Sequence, residues 1–314
     1  MPNTEHNTIT ASTPQPKRRG RPRKQRESAG TVLITGGFGQ LGEALLNVSG
    51  GKKYDYVAVG SSHLDICDEE RVEEWVWGLR AKAVINCAAY TNVEAAEEEA
   101  EKANMVNGKG VATLAKVCRR YGVPIVHIST DYVFGGDTER TTPYNEENSP
   151  APINAYGASK LLGEQALASY KQAVVIRTSW LYSPWGKNFY RTIDSLSHTQ
   201  PEISVVEDQR GTPTSALSLA RFVIDIIESR KLRKMSGIYH FSDVGEATWY
   251  DFARAIVELN GTECCVKPTT SALRASRAPR PHYSVLGHRR ITELGVTPPP
   301  WQEALAEVHN YYKR

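Results

Sequence analysis

Tyr156 and Lys160 are the two side chains in this sequence best suited to moving a proton. On a helix, residues four apart project from one face, so the phenol and the ammonium group are expected to lie close together. An isolated phenol titrates at about pH 10, and a nearby positive charge lowers that pKa toward neutrality. The pair is therefore a candidate acid–base relay. Because a solvated helix surface often has the same spacing, the surrounding elements must decide its interpretation.

A glycine-rich turn lies far upstream of this pair. The β-branched run at residues 31–35 leads directly into Gly36, Gly39 and Gly42, and a helical pattern follows. Strand, glycine turn and helix in this order are typical of a dinucleotide site, where the helix N-terminus binds a pyrophosphate. The sequence therefore predicts a dinucleotide cofactor at this turn.

Short apolar runs alternate with helical patterns through most of the chain. The predicted strands are residues 31–35, 56–59, 83–86, 124–128, 173–177 and 238–241, and the predicted helices are residues 69–79, 93–117, 156–167 and 217–228. This alternation predicts an α/β fold with a Rossmann-type doubly wound parallel sheet. Gly36, Ala88, Thr130 and Trp180 all follow predicted strand ends, so one crevice can collect them.

Composition divides the chain into three parts. We predict a dinucleotide-binding domain at residues 30–179 and 215–242, because the strand and helix alternation lies there. A smaller substrate-binding lobe is predicted at residues 180–214 and 243–314, which are richer in Pro, Arg and aromatic residues. Residues 1–29 have almost no large apolar side chain, so the composition predicts a disordered tail.

The second predicted strand bears on the choice of cofactor. It ends in Gly60-Ser-Ser-His63, with no acidic residue at the position where a carboxylate would bind the ribose of NAD. Such a carboxylate would also repel a 2′-phosphate. Its absence from the sequence permits NADPH as well as NADH.

The net charge of +3 is unevenly distributed. Residues 1–30 carry +5, so the remaining chain carries −2. Arg18, Arg19, Arg21 and Arg23 belong to a basic run that resembles an AT-hook, whose arginines seek the negative potential of an A·T minor groove. This predicts a weak nucleic-acid contact. A solvated basic tail, a localisation signal and extra residues from an upstream start codon are the alternatives.

Several classes of protein are excluded by composition. The sequence has neither a long apolar run nor a signal-peptide pattern, so we predict a cytoplasmic protein that does not enter a membrane. Its five cysteines have no zinc-ligand spacing, so we expect reduced thiols and no metal. We expect a monomer or a homodimer.

Taken together, the motifs resemble the extended short-chain dehydrogenase/reductases, and within them the dTDP-4-dehydrorhamnose reductase family. The resemblance covers about residues 31–310. It rests on Thr35-Gly-Gly-Phe-Gly-Gln-Leu-Gly42, Leu64-Asp-Ile66, Asn86-Cys-Ala-Ala-Tyr-Thr91, Ser129-Thr-Asp-Tyr-Val-Phe134, Tyr156 to Lys160, Arg177-Thr-Ser-Trp-Leu-Tyr182, Asp208-Gln209, Gly211-Thr-Pro-Thr214 and Arg280-Pro-His-Tyr-Ser284.

The resemblance implies hydride transfer from NADPH or NADH to the C4 ketone of a dTDP-linked 4-keto-6-deoxy sugar. It implies that Tyr156 donates a proton to the developing alkoxide, that Lys160 lowers the pKa of Tyr156 and holds the nicotinamide ribose, and that Thr130 hydrogen-bonds the carbonyl oxygen. The implied substrate contacts are Asp131, Trp180 and Arg280. The implied cofactor contacts are Gly36, Gly39, Gln40, Leu41, Gly42, Asp65, Ile66, Ala88, Ala89, Tyr90, Thr91, Tyr156 and Lys160.

Other interpretations stay open at this point. A nucleotide-sugar epimerase or dehydratase would share the fold, as would a non-catalytic subunit like the regulatory beta subunit of methionine adenosyltransferase. A redox-sensing module tethered to DNA by the tail is a third alternative. The chain also departs from the family in its basic tail and in Gly287-His-Arg-Arg290, which replaces an expected acidic and Lys-rich segment.

Overall fold

The computed structural model describes residues 28–274 and 276–313. The predicted nucleic-acid contact through the tail arginines lies outside these residues. The strands are β1 Thr31–Thr35, β2 Asp55–Val59, β3 Ala83–Asn86, β4 Ile125–Thr130, β5 Ala173–Thr178, β6 Leu181–Tyr182, β7 Glu202–Val206, β8 Arg210–Gly211, β9 Thr214–Ser215, β10 Gly237–His240, β11 Ala247–Thr248 and β12 Cys265–Thr269. The helices are α1 Gln40–Val48, α2 Glu69–Gly78, α3 Val93–Ala96, α4 Ala100–Asn104, α5 Val111–Tyr121, α6 Ala155–Leu167, α7 Phe189–Thr199, α8 Ala216–Glu228, α9 Trp249–Asn260, α10 Arg289–Glu293 and α11 Trp301–Tyr312.

Six strands form one parallel sheet in the order β2-β1-β3-β4-β5-β10. The chain reverses direction across the sheet at β1, because β2 lies on one side of it and β3 on the other. Ligands of open parallel sheets bind beyond the carboxyl ends of the strands at such a reversal. The prediction of a doubly wound parallel sheet is confirmed.

Both faces of this sheet are covered, which explains why its strands are apolar on both sides. In β1, Val32 and Ile34 belong to one core cluster, together with α1 and α8. Leu33 points the other way and belongs to a second cluster with α2 and α5. Burial of both faces is the main stabilising contribution to a sheet of this kind.

Among the described residues, three two-stranded sheets lie outside the main one. β7 pairs with β12 and β6 with β9, both in parallel, whereas β8 pairs with β11 in antiparallel fashion. α7 and α9 pack on each other beside them. The predicted division into two domains stays a prediction.

The predicted disordered tail, residues 1–29, includes one residue that is bonded to the folded part. The backbone N–H of Ala29 donates to the carbonyl of Lys53.

The predicted helix over residues 93–117 is the largest local difference. The structure has α3, α4, a π-helical turn at Met105–Gly110 and then α5. The π turn places Asn107 so that its side chain bonds both backbone groups of Tyr90, at 2.9 and 3.0 Å. Gly110 within the same turn leaves room for Ile66, whose side chain would lie 2.7 Å from an added Cβ. A contact between distant segments therefore decides the local helix geometry.

Within the described part of the chain, no helix has the length and apolar character needed to cross a bilayer. Nor do residues 28–274 and 276–313 contain three or more His, Cys, Asp or Glu side chains grouped as metal ligands. The five cysteines are free thiols.

Candidate active site

A cavity of about 890 Å³ lies at the carboxyl ends of the central strands. Fifteen of the predicted site residues line it: Gly36, Gly39, Gln40, Leu41, Asp65, Ile66, Ala88, Ala89, Tyr90, Thr91, Thr130, Asp131, Tyr156, Lys160 and Trp180. Gly42 and Arg280 are not among its lining residues. The strand reversal at β1 thus brings together motifs that are more than 100 residues apart in the sequence.

The three glycines of the turn have three different structural roles. Gly36 has φ +64°, and a Cβ on it would lie 2.5 Å from the backbone N of Ala88. A Cβ on Gly42 would collide with the carbonyl of Gly37, so this glycine permits close packing of α1 on the turn. Gly39 is the N-cap residue of α1 and has no side chain to cap the helix, so the first helical N–H groups stay available to an anion.

These features fit a dinucleotide pyrophosphate at the start of α1. Gly39, Gln40 and Leu41 face the cavity there, and Gly36 and Ala88 are in close contact across its floor. The side chain of Asp65 accepts a hydrogen bond from the backbone N–H of Cys67, which holds the backbone on either side of Ile66.

The helix α6 presents Tyr156 and Lys160 to the cavity from its first turns. Asn154 caps it by accepting from the N–H of Gly157 at 2.7 Å, and the Asn154 amide donates to the carbonyl of Pro279 at 2.9 Å. Gly157 sits against the carbonyl of Tyr132, where any Cβ would collide with it. The start of α6 is therefore held against the segment after β4, and the position of Tyr156 follows.

Tyr156 keeps its proton in this environment. Burial raises the pKa of the phenol to about 12, a hydrogen bond with Thr130 opposes the rise, and the charge of Asp131 adds to it. A phenol of this pKa is protonated at neutral pH and can act as an acid. The arrangement places a proton donor beside the Thr130 hydroxyl.

Lys160 is buried, and its ammonium group donates to the carbonyl of Ile128 at 2.7 Å. Burial lowers its pKa to about 8, while the carboxylate of Glu164 acts in the opposite direction. Burial, Thr130 and Asp131 act on the pKa of Tyr156, while Lys160 is directed at a backbone carbonyl of β4. That Lys160 lowers the pKa of Tyr156 therefore stays a prediction.

Glu164 lies one helical turn beyond Lys160 on α6, and it pairs with Arg177 on β5. Glu164 accepts from Arg177 through both oxygens, at 2.9 and 2.7 Å, and from the hydroxyl of Ser129 at 2.6 Å. The guanidinium also lies 4.9 Å from the centre of the Phe134 ring. From the sequence, Arg177 belongs to a motif without an assigned role, and no pattern singles out Glu164.

Thr130 and Asp131 close the end of β4. The Thr130 hydroxyl donates to Oδ1 of Asp131 at 3.1 Å, and Ser284 donates to Oδ2 at 2.6 Å. Burial raises the pKa of Asp131 to about 7. Asp131 is thus held by its neighbour Thr130 and by Ser284 from a distant segment, while it lines the cavity.

Arg280 lies at the edge of the site. Its guanidinium pairs with Glu94 at 2.7 Å and is also hydrogen-bonded to Ser276. It reaches the phenol of Tyr132, whose ring meets that of Tyr156 edge to face at 5.9 Å. The structure therefore places Arg280 next to cavity residues but in an ion pair with Glu94.

A parallel sheet that reverses at a glycine turn, with a Tyr–Lys pair and a Thr hydroxyl at the same crevice, defines an extended short-chain dehydrogenase/reductase. The family model described as the RmlD substrate binding domain matches residues 30–314. The chain belongs to this family, and the resemblance found in its motifs is confirmed.

Named relatives agree with this assignment. The chain is 40% identical over 277 residues to the spore coat polysaccharide biosynthesis protein SpsK of Bacillus subtilis, covering 88% of this chain and 95% of that protein. It is 40% identical over 281 residues to a dTDP-4-dehydrorhamnose reductase of Mycolicibacterium smegmatis, covering 88% and 84%. The crystal structure of a dTDP-4-dehydrorhamnose reductase from Bacillus anthracis in complex with NADP superposes with a TM-score of 0.85 at 36% identity, covering 90% and 99%.

Proposed function

We propose that this protein reduces the C4 ketone of dTDP-4-dehydro-L-rhamnose to the hydroxyl of dTDP-L-rhamnose, an activated sugar for polysaccharide synthesis. The observation that carries the proposal is that the Tyr156 phenol and the Thr130 hydroxyl line one cavity together with the glycine turn. Relatives named for this reduction and for polysaccharide biosynthesis support the choice of substrate.

The chain's own residues account for the proton. A carbonyl oxygen seated between Thr130 and Tyr156 receives a hydrogen bond from each hydroxyl, once Thr130 turns its proton from Asp131 to the substrate. As negative charge develops on that oxygen, Tyr156 transfers its proton to it, which its raised pKa allows at neutral pH. Burial of Asp131 and Lys160 around this point excludes water and strengthens both hydrogen bonds.

The cofactor is proposed to be NADPH, with NADH as the weaker alternative; either supplies the hydride when bound. The glycine turn and the first residues of α1 would hold its pyrophosphate. Gly60, Ser61 and Ser62 line the cavity after β2 and bring no carboxylate against a 2′-phosphate. The Bacillus anthracis relative was solved with NADP, which supports this order of preference.

The remaining contacts are part of the same proposal. Lys160 would donate to the nicotinamide ribose as well as to the Ile128 carbonyl, since an ammonium group has three N–H donors. Asp131 and Trp180 would contact the sugar, and Arg280 would exchange Glu94 for a phosphate of the sugar nucleotide. We place this reaction in the cytoplasm, where reduced nicotinamide and nucleotide sugars are both supplied.

Oxidation of NADPH by the purified protein tests the proposal, with the dTDP-4-keto sugar generated by its 3,5-epimerase. We expect turnover in the wild type and a loss of about 10²- to 10⁴-fold in kcat for Tyr156→Phe, with unchanged NADPH affinity. Tyr311→Phe is the matched control, because that phenol lies on α11, does not line the cavity, and bonds only to Asn47 among the described hydrogen bonds. Cofactor binding without any turnover by the wild type would contradict the proposed function.

A further inference from the structure

The motif at Asp208-Gln209 and Gly211 has no role in the chemistry described so far, yet it lies beside Trp180. Trp180 follows β5 and has φ +46°, a conformation that non-glycine residues rarely adopt. Strained backbone of this kind persists where the surrounding structure holds it, and it clusters at binding sites. We therefore expect the residues that contact Trp180 to hold its backbone and indole in place.

Trp249, the first residue of α9, is stacked on Trp180. The ring centres are 3.7 Å apart and the planes differ by 8°. Isolated aromatic pairs favour offset or edge-to-face arrangements, so the scaffold imposes this face-to-face contact. Both indoles line the cavity that contains Thr130 and Tyr156.

The side chain of Gln209 holds the indole of Trp249 by a hydrogen bond. Its amide oxygen accepts from the indole N–H of Trp249 at 3.1 Å, and its amide nitrogen donates to Ser271 at 2.8 Å. Asp208 in turn accepts from both the backbone N–H and the hydroxyl of Ser271, at 2.8 and 2.7 Å. The indole of Trp249 thus ends a chain of hydrogen bonds that begins at Asp208.

Gly211 makes room for the other indole. A Cβ on Gly211 would lie 2.5 Å from Cε2 of Trp180 and 2.7 Å from its Nε1. Gly211 also pairs with Ala247 in the β8–β11 ladder, two residues before Trp249. One short ladder therefore positions both members of the pair.

We infer that Trp249 is a positioning and specificity residue, which, with Gln209 and Gly211, sets the indole of Trp180 against the apolar C–H face of the deoxysugar. The inference rests on the proposed function and deepens it. Because Trp249 covers one face of Trp180 at van der Waals distance and Gly211 lies against the same indole, the orientation of that indole is constrained. The Asp208-Gln209 and Gly211 motif then holds the two stacked indoles on which the sugar of the substrate would pack.

The first test is kinetic. Trp249→Phe keeps an aromatic ring but loses the hydrogen bond to Gln209, so we expect KM for the sugar nucleotide to rise about tenfold, from the size of an aromatic pair contact. The dissociation constant for NADPH should not change, and kcat should fall less than KM rises. Trp77→Phe is the matched control, since that indole lies on α2 and is 66% exposed.

Circular dichroism supplies a readout that does not need substrate. Two stacked indoles produce an exciton couplet in the far ultraviolet, which we expect in the wild type and in Trp77→Phe. It should be lost in both Trp180→Phe and Trp249→Phe. Gly211→Ala retains every indole but displaces Trp180, so it should weaken the couplet and raise KM together.

Two outcomes overturn the inference alone: an active wild type whose KM is unchanged by Trp249→Phe, or an equal rise in KM when Trp249→Phe is made in the Trp180→Phe background. The second would show that Trp249 does not act through Trp180. A wild type that binds NADPH but never turns over the sugar nucleotide refutes the proposed function, and this inference with it.

Discussion

Glu164 and Arg177 form a buried ion pair beneath the active site, with side chains 4% and 1% exposed. The pair joins α6 to β5, and Glu164 lies one turn beyond Lys160 on the same helix face. Its negative charge favours the charged form of Lys160. The same carboxylate therefore supports both the fold and the charge of an active-site residue.

Removing Glu164 should be costly. We expect Glu164→Ala to lower the free energy of unfolding by about 3–5 kcal/mol, because Arg177 is left charged, buried and without its carboxylate. Urea denaturation measures the change. Glu307→Ala is the control: its ion pair with Arg221 is half-exposed, and we expect a loss of no more than about 1 kcal/mol. Equal losses in the two variants would contradict the buried character of the Glu164 pair.

Reduction should slow in alkaline solution. The folded-state pKa of Lys160 is about 8, below the ordinary value of 10.5, so its ammonium group is present below pH 8 and is lost above it. We expect kcat/KM to decline as pH rises through this range, because that parameter reports groups of the free enzyme. Lys160→Arg keeps its charge at every working pH and should remove the decline, even at lower overall activity. The control Lys171→Met, at an exposed position, should leave the wild-type profile in place.

Gly42 should not tolerate a side chain. Its Cβ would collide with the carbonyl of Gly37, so Gly42→Ala must displace α1 from the glycine turn. We expect a loss of about 1–3 kcal/mol in stability, together with weaker NADPH binding, measured by denaturation and by cofactor fluorescence. Gly50→Ala is the matched control, since nothing lies within 4 Å of a Cβ there. Normal cofactor affinity in Gly42→Ala would argue against a pyrophosphate at this turn.

The basic tail should be separable from catalysis. Removing residues 1–27 leaves the bond from Ala29 to Lys53 in place, so we expect kcat and KM to be unchanged. The full chain should bind an A·T-rich duplex with an affinity that falls steeply with salt, and the shortened chain should not. Retained binding by the shortened chain would place the contact elsewhere.

Local spacing along the chain was enough to predict several features of this protein. Gly36, Gly39 and Gly42 after a β-branched run predict a phosphate turn, and Tyr156 and Lys160 share a face because a helix repeats every 3.6 residues. The alternation of strands and helices predicts the parallel sheet, because parallel neighbours are usually joined by a helical crossover. These features need only neighbours in the chain.

Other features arise from contacts between segments that are far apart in the sequence, and only the folded chain shows them. Lys160 is directed at the Ile128 carbonyl, Asn107 holds Tyr90 from a π turn, and Trp249 stacks on Trp180. None of these has a local pattern, because each depends on which segments the sheet order brings together. Burial then changes the chemistry of the same side chains: the interior raises the pKa of Tyr156 and lowers that of Lys160, since it disfavours whichever form is charged.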